Sequence, residues 1–289
     1  MADSGLSRHF LSHFVGVGHR IALRAGTAVC RRDALTPRVC RCYRWGEVPY
    51  REAWARQRAL ASRIAVGEHP PALLLLSHPP TFTFGRRGDP ANLLWGEEGA
   101  RRRGIEVVWV DRGGDVTYHG PGQIVGYPLL PLGQPLPVGA GRFRLPENDY
   151  LGYLRRLEAV LIRTLAAFGV KGFRMEGMTG VWVRLPDGAP GKIAAIGVKV
   201  DARGISQHGF ALNLATNPAH WAGIVGCGLR GYAVANLADL VQPPPPWEAV
   251  LDVLQAAFAD VFGCLWARDG IIPAAGERPS SSGDRATAS

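Results

Sequence analysis

Cysteine is scarce in this chain: Cys30, Cys40, Cys42, Cys227 and Cys264 are all there are in 289 residues. An odd count without paired spacing argues against the disulfide framework of a small secreted domain and points to a reducing, cytoplasmic interior. Cys40 and Cys42 form a C-x-C with no second pair to complete a zinc site, so they read as two residues on one face of a strand. No apolar run reaches the roughly 18–20 residues of a membrane span, which leaves a membrane out of the reckoning. Nor is there a G-x-x-x-x-G-K-[ST], or a G-x-G-x-x-G after a strand, so nucleotide binding has no direct support. Lysine is sparse as well, and the formal charge of +9 rests on arginine. Its dense spots are only "GRRG" (85–88) and "RRRG" (101–104). That is thin for nucleic acid, whereas steering of an acidic protein partner accounts for the charge and weakens with salt.

What the chain has is apolar substance, 47% of its residues, enough for a sizeable core. Residues 1–38 are arginine-rich and poor in acids, an extension that composition reads as a targeting segment or a start codon placed too early. Residues 269–289 read as a disordered tail. The stretch between, 39–268, shows no shift of composition and is expected to be one domain, acting as a monomer.

Strand-like alternation marks 39–46, 105–111, 180–184, 192–200 and 205–215, and 72–87 reads as two strands parted by Pro79-Pro80. Helical spacing places Tyr50, Trp54, Gln57, Ala61 and Ile64 on one stripe. A second helix covers 148–169 with Asn148 or Asp149 as cap, and a third covers 246–263, with Pro246 near its start and Gly263 near its end. Strands outnumber helices without strict alternation, which predicts an α+β fold with a mixed or antiparallel sheet flanked by helices.

Four features invite chemistry. Residues 112–128, "RGGDVTYHGPGQIVGYP", are too glycine-rich for a helix and too polar for an ordinary buried strand. Cys227 stands between two glycines in "IVGCGLRGY", where its sulfur is approachable. Lys192, in "GKIAAIGVKV", neighbours the small Ala194 and Ala195; the odd spacing to Lys199 predicts that the two lysines face opposite ways. A thiol of pKa about 8.5 becomes thiolate more readily beside an ammonium, so a Cys–Lys pair could take up an acyl group as a thioester and shuttle its proton. Lastly, His119 and His208 each precede glycine. With no H-x-x-x-H or nearby acid they read as hydrogen-bonding wall residues of a pocket, and no metal is expected.

The 112–128 run closely resembles the signature of the octanoyl-acyl-carrier-protein:protein N-octanoyltransferases of lipoate biosynthesis. "YREAWARQ" (50–57), "LLLLSHPPTFTFGRR" (73–87), "GKIAAIG" (191–197), "SQHGFALN" (206–213) and "CG" (227–228) follow the same family in order. The resemblance spans about residues 40–263. It implies the fold of the biotin/lipoate protein-ligase catalytic domain, with Cys227 as acyl-thioester nucleophile and Lys192 as the group that lowers its pKa and moves protons. It further implies that Arg112, Gly113, Gly114, Asp115, Val116, Thr117, Tyr118 and His119 line the octanoyl site, together with Ala195, Ile196, Gly197, Gly209, Phe210 and Ala211. The implied partners are octanoyl-acyl carrier protein and the apo lipoyl domains of 2-oxoacid dehydrogenase complexes and glycine cleavage H protein, with no cofactor. Gly226 stands where the family has proline, Ala235-Asn236-Leu237 where it has "TSL", and Ser77 where glutamate is common. Two alternatives stay open: an ATP-dependent lipoate ligase on the same fold, which would not need Cys227, and a non-catalytic acyl-binding protein.

Overall fold

The computed structural model describes residues 38–133, 136–137, 143–144, 149–228 and 231–267. The extension up to residue 37 and the 269–289 tail lie outside the described residues, as does the side chain of Cys227. In chain order the elements are β1 (Arg38–Glu47), α1 (Tyr50–Ala65), β2 (Ala72–Ser77), β3 (Thr81–Phe84), α2 (Gly96–Arg101), β4 (Glu106–Trp109), β5 (Val116–His119) and β6 (Gln123–Leu129). Next come β7 (Leu136–Pro137), β8 (Phe143–Arg144), α3 (Tyr150–Ala167), β9 (Phe173–Met175), β10 (Met178–Arg184), β11 (Pro190–Val200) and β12 (Ser206–Asn213). The last are α4 (Pro218–Trp221), β13 (Ala233–Val234), α5 (Trp247–Phe262) and β14 (Cys264–Trp266).

The large sheet has the order β14-β1-β2-β6-β12-β11-β10-β9, with β13 pairing β11. It is parallel where β1 meets β14 and β2 and antiparallel from β2 through β9. A small sheet, β4-β3-β5, lies apart. The result is α+β with a mixed sheet, as the element pattern predicts.

The run of leucines in β2 shows why the sheet is covered on both sides. Leu73 and Leu75 join the core formed with Leu157 and Leu161 of α3 and Leu254 and Phe258 of α5. Leu74 and Leu76 face the other way, toward Ala53, Ala61 and Ile64 of α1. A strand buried on both faces loses its polar alternation and reads as an unbroken apolar run. Cys40 lies in the first of these cores with Cys42 packed against it, and burial pushes the Cys42 thiol up to about 12.

Helix ends follow local chemistry. Asp149 caps α3, its carboxylate accepting the Gly152 N–H at 2.5 Å. Gly263 ends α5 at φ +64°, a left-handed turn that glycine makes without strain. On α1 the buried stripe is Tyr50, Ala53, Gln57, Ala61 and Ile64; Trp54 sits at its margin, half-buried.

One expectation is corrected. Residues 112–128 are not strand-free: they form a loop and then β5 and β6, both wholly buried. The reversal at Gly122 needs glycine, since φ is +81° and a Cβ would stand 2.1 Å from the Ala215 carbonyl oxygen. Gln123 tolerates burial because it bonds His119 and Asn213, and Tyr127 because it bonds His78.

Candidate active site

Two cavities, of about 530 and 600 Å³, share a wall made by Thr117, Lys192 and Ala195. The larger is lined by residues 112–115, Thr117, His119, residues 195–197 and residues 209–211. Val116 and Tyr118, grouped with these by the sequence, lie on the opposite face of β5 among Phe82, Phe84 and Ile105. A two-residue period allows no other result. The smaller cavity is lined by Trp182, Trp221, Tyr232 and Asn236, and by Val225 and Gly226 immediately before Cys227.

The glycine loop is clamped from several sides. The Gly113 N–H donates to the Val198 carbonyl at 2.9 Å, tying the loop to β11. Arg112, buried, donates to the Thr83 carbonyl at 2.5 Å and to Gly113 O at 3.0 Å. A Cβ on Gly197 would meet Arg112 Cδ at 2.9 Å, so bare backbone on β11 is what admits this arginine. Asp115 turns toward the cysteine turn. Its carboxylate accepts from Asn92 Nδ2 at 2.5 Å, and a Cβ on Gly228 would come within 3.0 Å of it.

Cys227 is the central residue of the turn Gly226–Gly228. Asn92 holds that turn by accepting the Val225 N–H at 2.9 Å. The Gly228 N–H is taken by Val225 O at 2.9 Å, and that of Gly113 by Val198 O, so neither amide is left to meet an oxyanion. The departures near the turn have clear settings. Gly226 faces the Trp221 ring, which a Cβ would approach to 3.5 Å. Asn236 Oδ1 accepts from Thr216 N at 2.9 Å and from Thr216 Oγ1 at 2.7 Å, while Ala235 and Leu237 are buried in the core.

Lys192 lies opposite Trp182 on β10, its ammonium 5.5 Å from the indole centroid. Between Lys192 and Ala194 the register shifts by one residue, a bulge in β11. The extra residue changes the parity of the strand. Lys192 therefore shares a face with Ala195 and, four residues on, with Lys199, which pairs with Asp111. The two lysines do not face opposite ways; a bulge cannot be counted from spacing alone. Thr117 Oγ1 and Trp182 Nε1 are buried and have no hydrogen-bond partner among the described residues.

At the other end of the larger cavity stand Tyr50, Tyr127, His119 and His208, of which Tyr50 and Tyr127 were not singled out by the sequence as site residues. Their signal was present, since Tyr50 opens the "YREAWARQ" motif. His119 Nδ1 donates to Gln123 Oε1 at 2.8 Å, and His208 Nε2 to Asp111 at 2.9 Å. Burial lowers the pKa of both imidazoles, and the His208 and Lys199 partners hold the Asp111 carboxyl well below the usual range. Among the described residues no three His, Cys, Asp or Glu side chains gather as metal ligands would.

Residues 49–259 match the lipoyl protein ligase A/B catalytic domain. The octanoyltransferase of Rubrobacter xylanophilus is 44% identical over 219 residues, covering 75% of this chain and 91% of that protein. That of Synechococcus sp. (strain JA-3-3Ab) is 42% identical over 253 residues, 84% of this chain and 94% of that one. The chain belongs to the octanoyltransferase family. It is an acyltransferase, on the fold of the lipoate-protein ligases. A lipoate-protein ligase A bound with ATP superposes with TM-score 0.61 at 17% identity, covering 81% of this chain and 90% of that one. The bipartite lipoate protein ligase of Thermoplasma acidophilum gives 0.59 at 16% identity, over 81% and 88%. For this octanoyltransferase no described helix is long and apolar enough to cross a membrane.

Proposed function

We propose that this octanoyltransferase takes the octanoyl group from octanoyl-acyl carrier protein and delivers it to a lysine of apo lipoyl domains, through a thioester on Cys227. The acceptors are the lipoyl domains of 2-oxoacid dehydrogenase complexes and glycine cleavage H protein. Residues 39–268 form the catalytic domain, which works as a cytoplasmic monomer. The observation that carries the reading is the shared wall. Lys192 lines both the cavity of the glycine loop and the cavity bounded by the residues leading into Cys227.

Before the first half-reaction Cys227 has given its proton to the Lys192 amine, and the thiolate of this thiolate–ammonium pair attacks the thioester carbonyl. The new C–S bond forms as the bond to the carrier sulfur breaks, and that sulfur leaves with the proton from Lys192. In the second, the acceptor amine attacks the Cys227 thioester, gives its proton through Lys192 to the departing sulfur, and becomes an amide. Exchange between thioesters is nearly neutral and amide formation runs downhill, so no ATP is consumed. The Thr117 hydroxyl, buried on the shared wall with no partner among the described residues, supplies a donor for the carbonyl oxygen as charge develops. The acyl chain lies in the larger cavity, where burial at ~0.8 kcal/mol per methylene contributes on the order of 5 kcal/mol. The smaller cavity admits first the carrier arm and then the acceptor lysine.

The test is transfer from octanoyl-acyl carrier protein to an apo lipoyl domain without nucleotide. Wild type should give octanoylated domain; Lys192→Ala should lose about 10²- to 10⁴-fold in rate, the usual range for a proton-transfer group. Product that appears only when ATP is added would favour a ligase and overturn this reading.

A further inference from the structure

The "YREAWARQ" motif (50–57) plays no part in the chemistry above, yet Tyr50 lines the larger cavity and Trp54 and Gln57 pack on His208, another of its lining residues. Tyr50, 2% exposed, stacks on His119 at 5.4 Å and lies 4.9 Å from the ring of His78. Its hydroxyl is 3.5 Å from His208 Nδ1. Gln57 accepts the backbone N–H of His208, and the Trp54 ring lies 6.1 Å from that imidazole. His208 itself is held at φ 54°, the left-handed region, by these contacts.

The ring atoms of this wall bond one another, while Trp54 Nε1 and Gln57 Nε2 have no hydrogen-bond partner among the described residues. His78 Nδ1 donates to Val48 O at 2.7 Å, which leaves Nε2 to accept the Tyr127 hydroxyl at 2.8 Å. His208 Nε2 donates to Asp111, which leaves Nδ1 for Tyr50. A network engaged in this way keeps one arrangement and yields little to a ligand.

The floor leading to the wall is made of small residues, Ala195 and Gly197 on β11 and Gly209 and Ala211 on β12. It ends at β6, where Val125 stands opposite Ala211 and Tyr127 follows. With strands about 4.8 Å apart, the crossing from β11 to β6 is ~10 Å. An extended eight-carbon acyl chain, with bonds near 1.5 Å, measures about 9 Å from carbonyl to methyl.

We propose that Tyr50 is the stop that sets acyl-chain length: with the carbonyl on the shared wall beside Ala195, the terminal methyl of an eight-carbon chain that crosses the floor meets the Tyr50 ring. This rests on the transfer reading above. Two further methylenes add ~2.5 Å, which the wall does not provide.

The experiment offers the enzyme an equimolar mixture of six-, eight-, ten- and twelve-carbon acyl carrier proteins and weighs the acyl-enzyme by intact mass spectrometry. Wild type should carry mainly the eight-carbon group. Tyr50→Ala should raise the twelve-to-eight ratio at least ~10-fold, the scale on which an apolar pocket discriminates added methylenes. Tyr50→Phe, which keeps the ring, should retain the wild-type ratio. Tyr50→Leu shortens the stop while keeping an apolar anchor for α1, and is read in the same way if the alanine variant does not fold. An unchanged ratio in the shortened variant, or a shift in Tyr50→Phe as large as in it, overturns the proposal. A wild type that acquires no acyl group from any donor overturns the transfer reading instead.

Discussion

Three of the buried imidazoles, those of His78, His119 and His208 around Tyr50, shape how this molecule meets acid. Burial pushes His78 down to about 4 and lowers His119 and His208, so all three are neutral in the folded protein near neutrality. An unfolded histidine takes its proton near pH 6.5, and folded His78 only near 4. The unfolded state therefore binds more protons in that window. The stability conferred by the neutral form is fully present above about pH 6.5 and is lost as pH falls toward about 4, on the order of 3 kcal/mol for His78 alone. Urea denaturation of wild type should show a falling midpoint from about pH 7 to about pH 5. His78→Gln should be less stable at the upper end and decline less steeply; a wild-type midpoint constant across that window contradicts the assignment. The sequence supported a hydrogen-bonding role for His119 and His208, because each sat beside glycine without metal-ligand spacing. Their tautomers were out of reach, since these depend on Gln123 and Asp111, the latter 97 positions from His208.

At the scale of elements, the bulge in β11 is what turns Lys192 toward the shared wall. Gly180 on β10 gives that side chain its room. Its φ is +124°, and a Cβ there would stand 2.6 Å from Ala194 O and 2.9 Å from Lys192 Cε. Gly180→Ala should lower kcat by about 10²-fold, the usual consequence of misplacing a catalytic group by an ångström. Kinetics on folded variant check this; a wild-type kcat would mean that Lys192 does not need its present position. Long helices and apolar strands were legible because α3 and α5 bury regular apolar periods and β2 an unbroken apolar run. The strands β5 and β6 were not, since buried polar residues such as Gln123 and Tyr127 are satisfied by chain-distant partners, Asn213 and His78. The relation of Lys192 to Lys199 was misread for a related reason: strand parity is fixed only when the partner's register is known.

At the scale of the whole molecule, the large sheet and the small one gather the 112–119 loop and strand, β11, β12 and the Cys227 turn around two cavities, although these segments span more than a hundred positions of sequence. No local pattern carries that convergence. The family motifs do, and they were the part of the site most legible in the sequence. The cavity end built by Tyr50 and Tyr127 was present only as motif residues, because a buried tyrosine looks like core until its neighbours are seen. The central claim is that Cys227 carries the acyl group between donor and acceptor. Its most direct measurement is the intact mass of the enzyme after incubation with octanoyl-acyl carrier protein, without nucleotide and without acceptor. The account predicts one octanoyl group on wild type, absent from Cys227→Ala and discharged when an apo lipoyl domain is added. A wild-type enzyme that stays unmodified yet transfers octanoyl once an apo lipoyl domain is added would contradict it.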